Sequence, residues 1–340
     1  MRRDASPPRF SDARSMSDPG PWSFPAHLQP RPEEYQFDLD RALDAVVGLR
    51  AEVPEDAFTA STLGTERVGN GVVIRDDGLV LTIGYLVTEA TSVWLTANDG
   101  SAVQGYPIAF DQATGFALVM PLGKLNAPAL PRGPSVAIGP ESPVLVIGHG
   151  GRGHALKARC IDKREFAGYW EYVLDQALFT APAHPLWSGA ALLDERGRLL
   201  GIGSLLVQER VDGEETQGNM FVPVDLLGPI LEDMTKFGRP SAPPRPWLGM
   251  YVGEDDKGRL VVNGLASNGP ADRAGIKLND VVREVAGERV GSLAECFRAV
   301  WRLGPAGVTV PLSVARGTAS LQVAVASADR SDFLKKPQLH

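Results

Sequence analysis

From about residue 42 to 222 the chain is a succession of short β-type runs, each cut by Gly, Asp or Pro before a helix could complete. Val68–Arg75 (VGNGVVIR), Gly78–Leu81, Ser92–Thr96, Phe116–Met120, Val144–Ile147, Tyr172–Leu174 and Leu199–Leu206 are examples. Turn signals stand between such runs, among them Asp77-Gly78, Asp99-Gly100 and Arg196-Gly197. Regular spacing of this kind predicts an all-β barrel or sandwich. Some 180 residues are too many for one small barrel, so the pattern favours two in series, dividing near Pro128–Pro134.

The remainder divides by composition. Residues 1–36 are rich in Pro, Ser, Asp and Arg and read as a disordered or oligomerising arm, in which Trp22, Phe24, Tyr35 and Phe37 need cover from the body or from another copy. After the barrels of 37–238, Asp225 is placed to cap a helix carrying Leu226, Leu227, Ile230, Leu231 and Met234 on one stripe, with Pro229 near its start. The stretch RPSAPPRP, residues 239–246, cannot build a core and marks a linker. Residues 247–328 form a smaller module of strands and two helices. Its longer helix is signalled by Ser292 with Glu295 three residues on, a capping box, and by Gly304 as a stop. The strands Val308–Ala315 and Leu321–Ala326 follow, and residues 329–340 read as a flexible tail.

Composition excludes several classes. With 44% hydrophobic and 22% charged residues the chain is not wholesale disordered, and a net charge of −7 argues against nucleic acid as partner. No apolar run suits a signal peptide or a membrane span, so the expected location is cytoplasmic, without membrane insertion; a periplasmic one would require a start further upstream. Cys160 and Cys296 stand far apart and are expected as buried small side chains rather than a disulfide.

Six segments in order, GNGVVIRDDGLVLT (69–82), DQATGFALVMP (111–121), VLVIGHG (144–150), WSGAALLDERGRLLGIG (187–203), MFVPVDLLGPILEDM (220–234) and PADRAGIKLNDVV (270–282), resemble the HtrA-type serine proteases. The resemblance implies a mainly β chain: a trypsin-like double six-stranded β-barrel followed by a smaller α+β PDZ domain. It also implies acyl transfer by a serine, a base, an orienting carboxylate and an oxyanion hole. Ser188, in the place of a GNSGGPL-like loop, matches the nucleophile. Tyr85 stands where the catalytic histidine belongs and Gly115 where the aspartate belongs. A tyrosine, with an ordinary pKa of about 10, is a poor acceptor of a serine proton near neutrality. Leu186 replaces an oxyanion-hole glycine and Trp187 a small polar neighbour. Loss of the base alone costs on the order of 10⁶ in turnover.

Two histidines, His149 and His184, are the candidates for a substitute base at Ser188. His149, His154 and Cys160, spaced by five and six residues, match no closed zinc pattern, and no metal or cofactor is expected. In the second module Trp247-Leu248-Gly249-Met250 matches the loop with which PDZ domains present backbone N–H groups to a peptide carboxylate, and Phe297 and Val300 are expected to line the pocket. The resemblance therefore implies an HtrA-like pseudoprotease serving as a protein-binding scaffold, adaptor or chaperone-like regulator. Its partners would be protein or peptide C-termini, and a homo-trimer or an active HtrA paralogue are further expected partners. The alternative is an active serine endopeptidase using Ser188 with an unconventional base.

Overall fold

The computed structural model describes residues 22–211 and 213–336. The described residues divide into two compact units, one of residues 22–163, 177–240 and 335–336 and one of residues 164–176 and 241–334. Within the first unit lie both barrels. Strands β1 (Val46–Glu52), β2 (Glu66–Val73), β3 (Val80–Ile83), β4 (Ser92–Thr96), β5 (Ala102–Phe110) and β6 (Phe116–Pro121) close in the order β1-β2-β3-β6-β5-β4. Strands β7 (Pro143–Ile147), β8 (Ala155–Gly168), β9 (Tyr172–Ala181), β10 (Ala191–Leu193), β11 (Leu199–Val211) and β12 (Glu214–Pro223) close as β10-β11-β12-β9-β8-β7. Closure leaves neither barrel an unpaired edge.

Period-two patterning sets the faces. In β4, Val93 and Leu95 point inward while Trp94 between them is 46% exposed. Val146, Leu156, Leu178, Leu192 and Phe221 fill the second barrel. Three short helices flank the barrels: α1 (Leu39–Asp44), α2 (Ala60–Leu63) and α3 (Leu231–Phe237).

The second unit carries an antiparallel sheet built from β13 (Met250–Glu254), β14 (Leu260–Leu265), β15 (Val281–Val285), β17 (Thr309–Arg316) and β18 (Ala319–Ala326), with β16 (Glu288–Arg289) beside β15. Helices α4 (Pro270–Arg273) and α5 (Leu293–Arg302) complete it. Ser292 caps α5, its Oγ accepting the Glu295 N–H at 3.2 Å, but Glu295 reaches back to the N–H of Gly291 rather than Ser292.

Several expectations are corrected. The long helix from Asp225 is broken: a 3₁₀ turn spans Val224–Leu227 and α3 begins only at Leu231. Pro229 lacks an N–H and its ring clashes with the carbonyl four residues back, and Asp225 instead accepts the Ser135 N–H at 2.8 Å. The arm from Trp22 onward lies on the second barrel of its own chain. Phe24 packs against that core, the Trp22 ring stands edge-on to His154 with centroids 4.5 Å apart, and Phe37 covers Gly197. Residues 1–21 of the arm lie outside the described residues. The tail is not loose throughout, since Arg330–Phe333 form a 3₁₀ turn whose Phe333 packs on Trp247 at 4.8 Å. Residues 164–176, drawn from sequence into the barrels, belong with the second unit.

Candidate functional site

Tyr85 sits in the 3₁₀ turn Gly84–Leu86 that follows β3. Arg67, only 4% exposed, holds that turn by donating to the carbonyls of Tyr85 at 2.7 Å and Thr88 at 2.9 Å. Ser188 lies in the connection between β9 and β10. The two barrels bring these side chains together, with Tyr85 Oη 2.9 Å from Ser188 Oγ and 2.8 Å from the Ser204 carbonyl oxygen. A carbonyl can only accept, so the phenol proton goes to Ser204 and the Ser188 hydroxyl donates to the phenol oxygen. Burial raises the Tyr85 pKa above its ordinary value, against a smaller opposing effect of the bond to Ser188. The group facing the serine is therefore a neutral phenol, which accepts a hydrogen bond but does not remove the proton.

Gly115 stands before β6 with φ of +79°, its carbonyl accepting the Gly84 N–H at 2.6 Å. A side-chain-bearing residue there would have to hold a positive φ, which glycine adopts without strain. The nearest acid in sequence, Asp111, is spent locally on the N–H and hydroxyl of Thr114, at 2.9 and 2.7 Å.

The Leu186 N–H donates to His184 Nδ1 at 3.0 Å, and the His184 Nε2 proton goes to the His154 carbonyl at 2.9 Å. His184 is thus a fully buried neutral imidazole whose two nitrogens are both engaged, and burial lowers its pKa to about 4. The imidazole expected as a substitute base instead holds the backbone N–H expected in an oxyanion hole. The His149 ring packs over Gly48, and burial lowers its pKa. Its Nε2 is buried and has no hydrogen-bond partner among the described residues.

Asn70, 2% exposed on β2, is a residue that sequence reasoning passed over. Its amide donates to the carbonyls of Leu186 at 2.8 Å and Ser188 at 3.0 Å, and its Oδ1 accepts the His149 N–H at 2.7 Å. Asn70 thereby fixes both the serine loop and the loop after β7. The only available signal was its place between two glycines in GNG.

In the second unit the backbone N–H groups of Leu248, Gly249 and Met250 converge, as the loop motif implies, with Gly249 at φ +70°. A Cβ on Gly249 would come within 3.0 Å of Ala266 and of the Trp247 ring. The converging donors already hold a carboxylate. Glu171 Oε1 accepts from Leu248 at 3.1 Å, Gly249 at 2.7 Å and Met250 at 3.2 Å, while Oε2 accepts from Leu248 at 3.0 Å. Burial pushes this carboxyl up to about 7, against the downward pull of the three N–H groups. Trp247 exchanges backbone hydrogen bonds with Ala328 at 3.0 Å. Phe297 lies under Val173 and Ala294, whereas Val300 is a correction: at 1% exposure it belongs to the core of the unit and lines no groove.

Comparison with known proteins agrees with this architecture. Residues 69–202 match the trypsin-like peptidase domain family and residues 246–326 the PDZ domain family. Serine endoprotease DegS of Salmonella typhimurium is 26% identical over 308 residues, 84% of this chain and 83% of its own length. A probable periplasmic serine endoprotease DegP-like of Halomonas elongata is 26% identical over 280 residues, 79% of this chain and 58% of its own. Among solved structures, the HtrA-type protease AlgW with decapeptide shares the fold at a TM-score of 0.53 and 20% identity, over 88% of this chain and 98% of that one. With a trypsin-like peptidase domain joined to a PDZ domain, the chain is a homologue of the HtrA-type proteases DegS and DegP.

Proposed function

We propose that this chain is a proteolytically inert HtrA-type protein, its barrels serving as a scaffold and its PDZ domain binding C-terminal or extended segments of other proteins. The observation that carries the reading is the group that faces the serine: the buried phenol of Tyr85, its pKa raised by burial, has its Oη 2.9 Å from Ser188 Oγ and 2.8 Å from the Ser204 carbonyl oxygen. Three further features support it. Gly115 supplies no carboxylate, the Leu186 N–H is spent on His184, and both nitrogens of that imidazole are engaged. Acyl transfer needs a proton acceptor on the serine and free donors at the developing oxyanion. For the PDZ domain, the support is a loop whose three N–H groups converge on a carboxylate.

The test is intact-mass analysis after incubation with a fluorophosphonate serine-hydrolase probe, alongside cleavage of reduced, unfolded casein, for wild type and Ser188→Ala. The expected outcome is no adduct and no cleavage by either. An adduct and cleavage that vanish in Ser188→Ala would establish instead a serine endopeptidase with an unconventional base.

A further inference from the structure

The carboxylate in the PDZ loop comes from the chain itself, and more than a carboxylate comes with it. Residues 164–176, the tip of the β8–β9 hairpin, are part of the same compact unit as residues 241–334. The Tyr169 carbonyl accepts the Val252 N–H of β13 at 3.3 Å, the kind of bond that an added strand makes. Two residues on, Glu171 fills the loop, 7% exposed and held at φ +62°, an uncommon backbone state for a side chain of this size. Two further residues on, Val173 packs on Ala294 and Phe297 of α5. Arg298 of α5 pairs with Glu165 and Asp175 on either side of the tip, and Tyr169 meets Tyr251 edge-on with centroids 6.1 Å apart.

Backbone on the sheet edge, carboxylate in the loop and an aliphatic side chain on the helix are the three contacts through which a peptide is read by strand addition. Here one short stretch of the chain makes all three. A glutamate carboxylate and a chain-terminal carboxylate present the same two acceptor oxygens, so both cannot occupy these N–H groups at once.

We propose that Glu171 is a built-in ligand of the Leu248–Met250 loop, and that an extended, carboxylate-terminated peptide enters only by displacing the hairpin tip. This rests on the peptide-binding function proposed above. The incoming ligand is a free C-terminus whose last side chain is aliphatic, taking the place of Val173 on Phe297. An internal ligand lowers apparent affinity by the fraction of time the loop is vacant. The groove therefore responds only to partners that are tight or locally concentrated.

The experiment uses the full chain, with Glu171→Ala and Val173→Asp, each shown by thermal melting to be folded. The probe is fluorescein-labelled Glu-Phe-Ala-Gly-Tyr-Trp-Val, which is residues 165–170 with valine appended, as the free acid and as the C-terminal amide. Glu171→Ala is expected to bind the acid at least tenfold more tightly than wild type, with the amide weak for all. Val173→Asp, which puts a charge where the tip's aliphatic side chain packs on Ala294 and Phe297, is expected to shift the same way and carries the test should the alanine variant not fold. Without peptide, hydrogen exchange of the 248–250 amides is expected to rise in both variants. Equal affinity of wild type and variants for the acid overturns the displacement and leaves peptide binding in place. Absence of carboxylate-dependent binding by every form overturns the peptide-binding function on which the proposal stands.

Discussion

A single buried imidazole ties much of the serine loop to the second barrel. His184 takes the Leu186 N–H on Nδ1 and gives its Nε2 proton to His154, an arrangement open only to the neutral ring. Burial lowers its pKa from 6.5 to about 4, so between those values the unfolded chain binds a proton that the folded chain refuses. Stability is then present in full above pH 6.5 and falls with pH down to about 4, by on the order of 3 kcal/mol. Urea unfolding across that range in wild type and His184→Gln checks it: the difference between the two is expected to shrink steadily as pH falls. A constant difference would mean that the ring takes up its proton in the native state as readily as in the unfolded chain. That a tyrosine and a glycine stand at these two positions was legible at this scale, because Tyr85 and Gly115 are single letters within local motifs. What those letters do instead was not legible. The Tyr85 bond to Ser204 and the Asn70 clamp join residues more than a hundred positions apart, and no local pattern encodes such a pairing.

Elements were read well where one physical signal dominates. Alternation located β4, and the Ser292 cap located the start of α5. They were misread where two signals compete. The apolar stripe from Leu226 to Met234 favours a helix, but Pro229 in its middle removes a donor, and the chain yields a 3₁₀ turn and a shorter helix. At α5 the cap has a measurable consequence. Removing the Ser292 hydroxyl leaves the Glu295 N–H to water, which costs about 1 kcal/mol at a helix N-terminus. Ser292→Ala is therefore expected to lower the melting temperature of the PDZ transition by a few degrees. Ser292→Asp is expected to keep it, since aspartate caps equally well and its charge suits the helix N-terminus. An alanine variant indistinguishable from wild type would show that α5 is held by packing alone.

At the scale of the whole chain, the order of motifs carried the architecture, but not the division of labour within it. The hairpin tip reads as barrel sequence, yet its Glu171 serves a loop 77 to 79 residues away, and its acidic and aromatic neighbours look like ordinary strand residues. That placement carries a pH response with a definite sign. The groups facing Glu171 are the three loop N–H groups and Arg330, which favour the ionised form, with Tyr251 and Cys296 also close enough to interact. Burial outweighs them and sets the docked carboxyl at about 7, against 4.5 when it is free in water. The docked state therefore binds a proton that the released hairpin gives up between pH 4.5 and 7. Docking is strongest at or below the lower value and weakens as pH rises through the upper one. Raising pH from 5.5 to 7.5 is expected to reduce protection of the Leu248, Gly249 and Met250 amides by roughly tenfold or more, after correction for intrinsic exchange. Glu171→Gln, with nothing to ionise, is expected to give a flat profile over the same range. Wild-type protection that holds constant or grows with pH would mean that the loop N–H groups, rather than burial, govern this carboxylate, and the hairpin would then be a permanent part of the groove at neutral pH.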